Sequence, residues 1–474
     1  MFASLYNLLF PKSKPISKKP SPEKPSVVKN SIDYIINDSS TPNLVEKAKI
    51  PSVGNLRYSV RDYNSNPKNL NQRRALNCFV TIGNCINYVQ SNSKSIIKRW
   101  ASTQNLDVVP LAGVDVNAYY DRRSLRFFYS KINNKTIYTA DSQDIVAHEL
   151  GHAILDAMRP DFWSVQSLEI WSFHEAFADI CAIVSIMQYE EALKKVLEDT
   201  NGDISKSNLV SRLAEEVGIF IFDNYSNKYL SNALRDPAVE IFKYVDPQTL
   251  PAETSNDKLA AECHSFGRVF TAVWYNIFTK VYEKECLTSS RLIAIKKARD
   301  ICFSLLLQSI PTSPRVVNYY YAIAKSMIGL SKIKFPQYET LIKESFIEFD
   351  ILNKEEPLKM LSNTSWDEIV SNLNKNDEVI KNSKGIIVKL TRNKTIKIQN
   401  ISILSNNNDN SIEVETPSDM YFEFDNNGIL IDEIIPDEKK ILESSLFCLS
   451  VIEKQDKNNM WSIENNKLIR NYIV

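Results

Sequence analysis

Histidine is scarce in this chain: 474 residues hold four. Charge of one sign is not in excess either, since 57 Lys and Arg balance 57 Asp and Glu. A general binder of nucleic acid carries a basic surplus, so no nucleic-acid partner is expected. No stretch approaches the ~18 uninterrupted apolar residues that cross a bilayer as a helix. Seven cysteines (78, 85, 181, 263, 286, 302 and 448) form an odd set without paired C-x-x-C spacing. Cys78 and Cys85 lie too far apart for a zinc knuckle and have no matching second pair, so buried free thiols are expected rather than a disulfide framework. The opening residues, MFASLYNLLFPKSK, carry an apolar run with no basic residue before it and no small-residue cleavage site. That argues against a secretory signal and for a cytoplasmic protein, with Phe2, Leu5, Leu8, Leu9 and Phe10 left as a weak membrane or partner contact.

What is present is ordinary for a folded protein. Hydrophobic residues make up 43% and charged residues 24%, which excludes wholesale disorder. The length allows two to four domains at roughly 100 to 200 residues each. Residues 1–50 are rich in Pro, Lys and Ser between 11 and 48 and read as a flexible segment. Residues 51–141 hold short runs of strand character, LDVVPLAGV, SLRFFYS and KTIYTA, separated by turn residues. From 142 the period changes. Ile145, Leu150, Ile154 and Met158 fall at helical spacing, Asp141 or Ser142 can cap the start, and Pro160 follows the end. Helical patterns continue through 174–192, 207–224, 258–284, 289–308, 315–328 and about 337–353, so 142–353 reads as a helical unit. A polar linker over 354–383 leads to a β-rich accessory domain at 384–474, where Asn427-Gly428 is a hairpin signal. There are no internal repeats.

Three segments hold all four histidines: HELGH at 148–152, FHEAFAD at 173–179 and ECHSFGRVF at 262–270. His148 and His152 are four apart, so on a helix both rings leave one face and can share a tetrahedral metal. Glu149 is offset from that face, within reach of a water on the metal without being a ligand, which is the spacing a zinc hydrolase needs. Four histidines make six pairs, and a pair four apart with an acid after the first arises by chance only about three times in a thousand. HEAFAD supplies Glu175 as a third ligand from another helix. One turn on, Asp179 can accept the far N–H of His148, fixing its tautomer. Three protein ligands leave a fourth position open, which marks a catalytic rather than a structural site. His174, beside Glu175, points elsewhere on its helix and reads as supporting rather than ligating.

DIVAHELGHAILDA followed by HEAFAD resembles the thermolysin-like gluzincin metallopeptidases, whose pattern is D-x-x-x-H-E-x-x-H-x-x-x-D with a later E-x-x-x-D. The resemblance implies an α+β fold with a β-rich first subdomain and a mainly helical second one. It implies His148, His152 and Glu175 as ligands of one Zn²⁺ per chain, Glu149 as general base, and Asp179 as the carboxylate orienting His148. Asp144 and Asp156 also match acids of the pattern. NAYYDRRSLRFFY (117–129) resembles the family's substrate-lining edge strand, with Asn117 and Ala118 bonding an extended peptide backbone. NALRDP nominates Arg235 for a substrate carbonyl, and ECHSFGRVFTAVWY nominates His264 as donor to the oxyanion of the transition state.

Three departures qualify the resemblance. The gap between His152 and Glu175 is a few residues longer than the family's, so an insertion at Asp161–Ser172, rich in Trp and Phe, is expected to reshape the cleft rim. The family's tyrosine between second histidine and third ligand has no counterpart, because no Tyr occurs between 139 and 188. The acid cluster that binds calcium in secreted relatives is not recognisable, so no calcium is expected, and an intracellular branch is implied. The expectation is a zinc endopeptidase acting on a peptide or protein substrate, with a protein partner available to the accessory domain. Its rivals are a zinc aminopeptidase, for which no exopeptidase motif precedes HELGH, and an inactive zinc-stabilised binding or structural protein.

Overall fold

The computed structural model describes residues 31–35, 45–49, 56–93, 97–132, 135–224, 233–353, 364–375, 377–382, 385–399, 411–425, 427–455, 460–464 and 467–473. It is a mixed α+β fold with several small sheets. The first is a ladder of β1 (Ser31–Ile35) on β2 (Val45–Lys49), antiparallel. It falls inside the segment expected to be flexible, and its residues explain the difference. Ile32, Tyr34, Ile35 and Val45 favour extended pairing whatever the Pro and Lys around them. The apolar run at 2–10 lies outside the described residues.

β3 (Arg57–Val60), β4 (Asn105–Val109), β5 (Ala118–Tyr120) and β6 (Ser124–Phe127) form a sheet in the order β3-β4-β6-β5. β5 is an edge strand, antiparallel to β6. β7 (Tyr129–Ile132) and β8 (Lys135–Tyr138) make a small hairpin. The region expected to be β-rich holds these short strands and, beside them, a 24-residue helix, α1 (Leu70–Ser93). Ala75, Cys78, Ile82, Cys85, Ile86 and Val89 are buried along it at helical spacing.

The helical unit follows: α2 (Gln143–Met158), α3 (Leu168–Ile186), α4 (Glu190–Asp199), α5 (Glu215–Asn224), α6 (Cys263–Cys286), α7 (Arg291–Ser309), α8 (Tyr319–Lys334) and α9 (Glu339–Glu348). α2 begins and ends where its cap and proline signals predict. α3 starts six residues earlier than the period predicts and is buried on every side, so its apolar signal has no polar face to mark an edge. Two glycines let the central helices meet. A Cβ on Gly151 of α2 would lie 2.7 Å from the Ala178 Cα of α3. One on Gly267 of α6 would lie 3.0 Å from the Glu175 Cβ of α3.

The last region is not the simple linker and β-rich domain that the composition suggests. Within 354–383, residues 354–363 lie outside the described set, but α10 (Trp366–Ser371) and β9 (Glu378–Asn382) are ordered elements. β9 pairs with β10 (Gly385–Leu390), so the boundary falls before it. Then come β11 (Asn393–Gln399), β12 (Ser411–Pro417), β13 (Met420–Phe424), β14 (Leu430–Ile434), α11 (Glu438–Gln455), β15 (Trp461–Glu464) and β16 (Lys467–Arg470). They build two four-stranded sheets, β14-β13-β10-β9 and β11-β12-β16-β15, with an 18-residue helix between strands. Asn427-Gly428 turns β13 into β14 as predicted, with Gly428 at φ 79°.

Both sheets dock on the helical unit. Ile412, Val414, Leu449 and Leu468 share a core with Leu168 and Trp171 of α3. The buried Asp419 carboxylate accepts the backbone N–H groups of Arg315 (2.9 Å) and Arg392 (3.0 Å). All seven cysteines are free, and five are buried. Among the described residues no single helix is long and apolar enough to cross a membrane.

Gly151→Ala adds a methyl group against backbone that cannot move aside. It is expected to lower stability by about 1–3 kcal/mol, although alanine gains about 1 kcal/mol in helix propensity. Urea unfolding with an unchanged or raised midpoint would contradict this account of the α2–α3 contact.

Candidate metal centre

α2 presents His148 and His152 from one face, with their Nε2 atoms 3.2 Å apart. α3 brings Glu175 to the same point, its Oε2 lying 3.5 Å from His148 Nε2 and 3.8 Å from His152 Nε2. All three side chains are buried, and among the described residues neither Glu175 oxygen has a hydrogen-bond donor. A tetrahedral divalent ion with bonds near 2.0–2.1 Å separates its ligand atoms by about 3.3 Å. The three separations bracket that value, so these residues form a group that could hold a metal ion. An orphaned carboxylate facing two imidazole nitrogens is the donor set such an ion takes.

The surrounding polar groups are ordered around this point. Asp179, one turn beyond Glu175, lies 2.9 Å from His148 Nδ1. Asp179 also accepts Arg235 Nη2–H at 2.6 Å. Arg235 therefore lines the cleft as expected, but it is already paired with a carboxylate. His264, in the first turn of α6, has Nε2 3.4 Å from Glu175 Oε2 and Nδ1 2.5 Å from Glu262 Oε1. Glu149 lines the cleft between these groups, its Oε2 buried without a donor among the described residues. Ala118 lines it too. Asn117 is outside that lining: its backbone carbonyl accepts from Phe128 N–H (3.2 Å) and Thr139 Oγ1–H (3.1 Å), and its side-chain Oδ1 is buried without a donor among the described residues.

Burial and neighbouring charge divide the titratable groups. Burial opposes charge on His148, but the Asp179 and Glu175 carboxylates override it and hold the ring up to about 9. Burial lifts Glu149 to about 8, against the pull of His148. Burial also drives His152 well below its usual range and His174 down to about 3, so both rings are neutral. Glu175 stays ionised despite burial because the protonated His264 and His148 rings lie beside it. His264 is raised well above its usual range despite burial, by Glu175 and Glu262, and so carries a proton to donate.

One sequence expectation is corrected in position. None of Asp161–Ser172 lines the cleft directly. Phe162 and Trp163 are buried, Trp163 Nε1–H donates to the Arg470 carbonyl (2.7 Å), and Gln166 N–H donates to the Glu415 carbonyl (2.9 Å). The insertion is apolar because it packs under the C-terminal sheet. His174 is buried with its ring 5.8 Å from that of His152, and neither nitrogen has a partner among the described residues. Of the two further acids, Asp144 accepts Ala214 N–H (2.5 Å) and Asp156 accepts Tyr120 Oη–H (2.9 Å) and the Arg122 guanidinium. Glu262 was missed. It caps α6 by accepting His264 N–H (3.1 Å) and Ser265 N–H (2.9 Å) while orienting the His264 ring. An acid directly before a helical segment was its available signal.

No family model and no curated protein matches this chain. What the centre can do rests on its geometry.

A cation entering the centre must displace the proton held on His148. That proton is bound below a pH of about 9, so affinity for a divalent cation should fall by about tenfold per pH unit as the pH drops below it. Competition titration of metal-stripped protein between pH 6 and 9 checks the slope; a flat profile would remove His148 from the ligand set.

Proposed function

We propose that the chain is a zinc-dependent endopeptidase with the two-subdomain plan of thermolysin-like gluzincins, acting without nucleic acid, calcium or a transmembrane segment. The observation that carries this reading is the convergence of His148, His152 and Glu175, with the Glu149 carboxylate beside His148 in the cleft and its Oε2 without a donor among the described residues. His148, His152 and Glu175 would hold the ion. When bound, zinc supplies a Lewis acid that activates water near neutral pH and polarises a carbonyl.

The chain's own groups then divide the proton and charge work. Glu149, in the cleft with its Oε2 lacking a donor among the described residues, accepts the proton that the attacking water sheds and returns it to the leaving amine. His264, protonated between Glu175 and Glu262, donates from Nε2 to the oxygen that gains charge at the attacked carbonyl. Asp179 keeps the His148 ring turned by accepting at Nδ1, and Arg235 neutralises Asp179. A purely structural site needs neither Glu149 nor His264, which weighs against an inactive zinc-stabilised protein. Cytoplasmic residence and a partner for the C-terminal sheets belong to this proposal as expectations.

The test is metal analysis beside hydrolysis of a peptide library blocked at both ends, with and without chelator. Glu149→Gln should retain about one zinc per chain and lose hydrolysis. His264→Ala should lower kcat by about 100- to 1,000-fold. Asp179→Ala should weaken zinc binding by about 10- to 100-fold. Undiminished hydrolysis by Glu149→Gln would sink the assignment, and cleavage confined to peptides with free N-termini would favour the aminopeptidase.

A further inference from the structure

The strand that borders the cleft is already partly occupied by the chain itself. β5 is antiparallel to β6, and such strands point alternate residues toward and away from the partner. The Asn117 carbonyl accepts Phe128 N–H, and Asp121 N–H donates to the Ser124 carbonyl, so the odd-numbered residues face the β6 side. Ala118 and Tyr120 therefore direct their N–H and C=O groups to the open edge. At Tyr120 both are taken: its N–H donates to the Ile473 carbonyl (3.0 Å) and its carbonyl accepts Ile473 N–H (2.9 Å), an antiparallel bridge. No partner takes those of Ala118 among the described residues, and Ala118 lines the cleft with His148 and Glu149.

The occupying segment is anchored rather than draped. Ile473 is fully buried, and the Tyr472 ring lies 4.9 Å from that of Tyr119. Just before it, the Arg470 carbonyl accepts Trp163 Nε1–H, and the Trp163 ring meets that of Tyr120 edge-on at 5.7 Å. The insertion at 161–172 thus holds residues 470–473 against the same edge strand.

Resting on the peptidase reading, we propose that residues 471–473 are a built-in substrate stop. An extended peptide gains backbone hydrogen bonds by adding to a free edge strand. Here it can do so through Ala118 alone, and on the Tyr120 side it meets Ile473 after that single pairing. The cleft accepts peptides that are short on one side of the scissile bond and rejects those extended further along β5.

Doubly blocked peptides lengthened one residue at a time on either side of one cleavage point read this directly. In the unaltered chain, kcat/KM should fall at least tenfold once one side exceeds a set length, and hold steady on the other. Removing residues 471–474 should abolish the fall while leaving the shortest peptides within about twofold. Trp163→Phe, which loses the bond to the Arg470 carbonyl but keeps an aromatic ring against Tyr120, should reduce the fall in part and serves if the shortened chain does not keep its zinc. A length limit that survives both changes, or that never exists, overturns the stop. Hydrogen exchange separates this from failure of the peptidase reading. In the intact chain the Tyr120 amide should exchange at least a hundredfold more slowly than that of Ala118. Equal rates overturn the stop even where peptides are cleaved. A sealed edge on a chain that cleaves no peptide of any length overturns the peptidase reading, and the stop's role in substrate choice with it.

Discussion

A carboxylate sealed from water without a hydrogen-bond donor is costly, and among the described residues Glu175 has none. Much of the central architecture compensates for it. Three imidazoles, from His148, His152 and His264, lie within 3.8 Å of its Oε2. His148 is turned toward it by Asp179, and Asp179 is in turn neutralised by Arg235. His264 is aimed at it by Glu262 from the cap of α6. The charges alternate outward from Glu175, which is what a cluster arranged around a cation requires once the ion's own charge is counted.

Holding three helices this close demands side chains that stay out of the way. Gly151 sits inside HELGH, and its role is steric: a Cβ there would meet the backbone of α3. Gly267 does the same between α6 and Glu175. Packing and chemistry thus share residues, so a substitution that pushes α2 from α3 by a few tenths of an ångström also lengthens the His148–Glu175 separation.

Legibility in the sequence followed the range of the interactions. HELGH, the helix that carries it and the Asn427-Gly428 turn are set by neighbours within a few positions, and they stand where their spacing predicts. Glu175 and Asp179 were readable because they too lie one turn apart on one helix. The β1–β2 ladder and β9 were hidden by surrounding polar residues that say nothing about pairing. Glu262 needed the register of a helix start, which periodicity fixes poorly for α6. The least legible contact joins Trp163 to Arg470 across 307 positions, where only tertiary structure makes two segments neighbours.

That long-range contact changes what the C-terminal sheets are. Trp171 packs against Trp461 at 5.2 Å between ring centres, and Trp171 lies four residues before Glu175 on α3. Residues four apart share a helix face and move together. The sheet β11-β12-β16-β15 therefore buttresses the turn of α3 that delivers the third candidate ligand, while its continuation at 471–473 closes the edge of β5. One element acts on the centre from two sides, by fixing Glu175 from behind and by limiting access in front. The two effects rest on different residues: Ile473 pairs with β5, whereas Asn471 is tied to both neighbours of Trp461, its N–H donating to the Met460 carbonyl (2.6 Å) and its Oδ1 accepting Ser462 Oγ–H (3.0 Å). Loss of the whole sheet removes both.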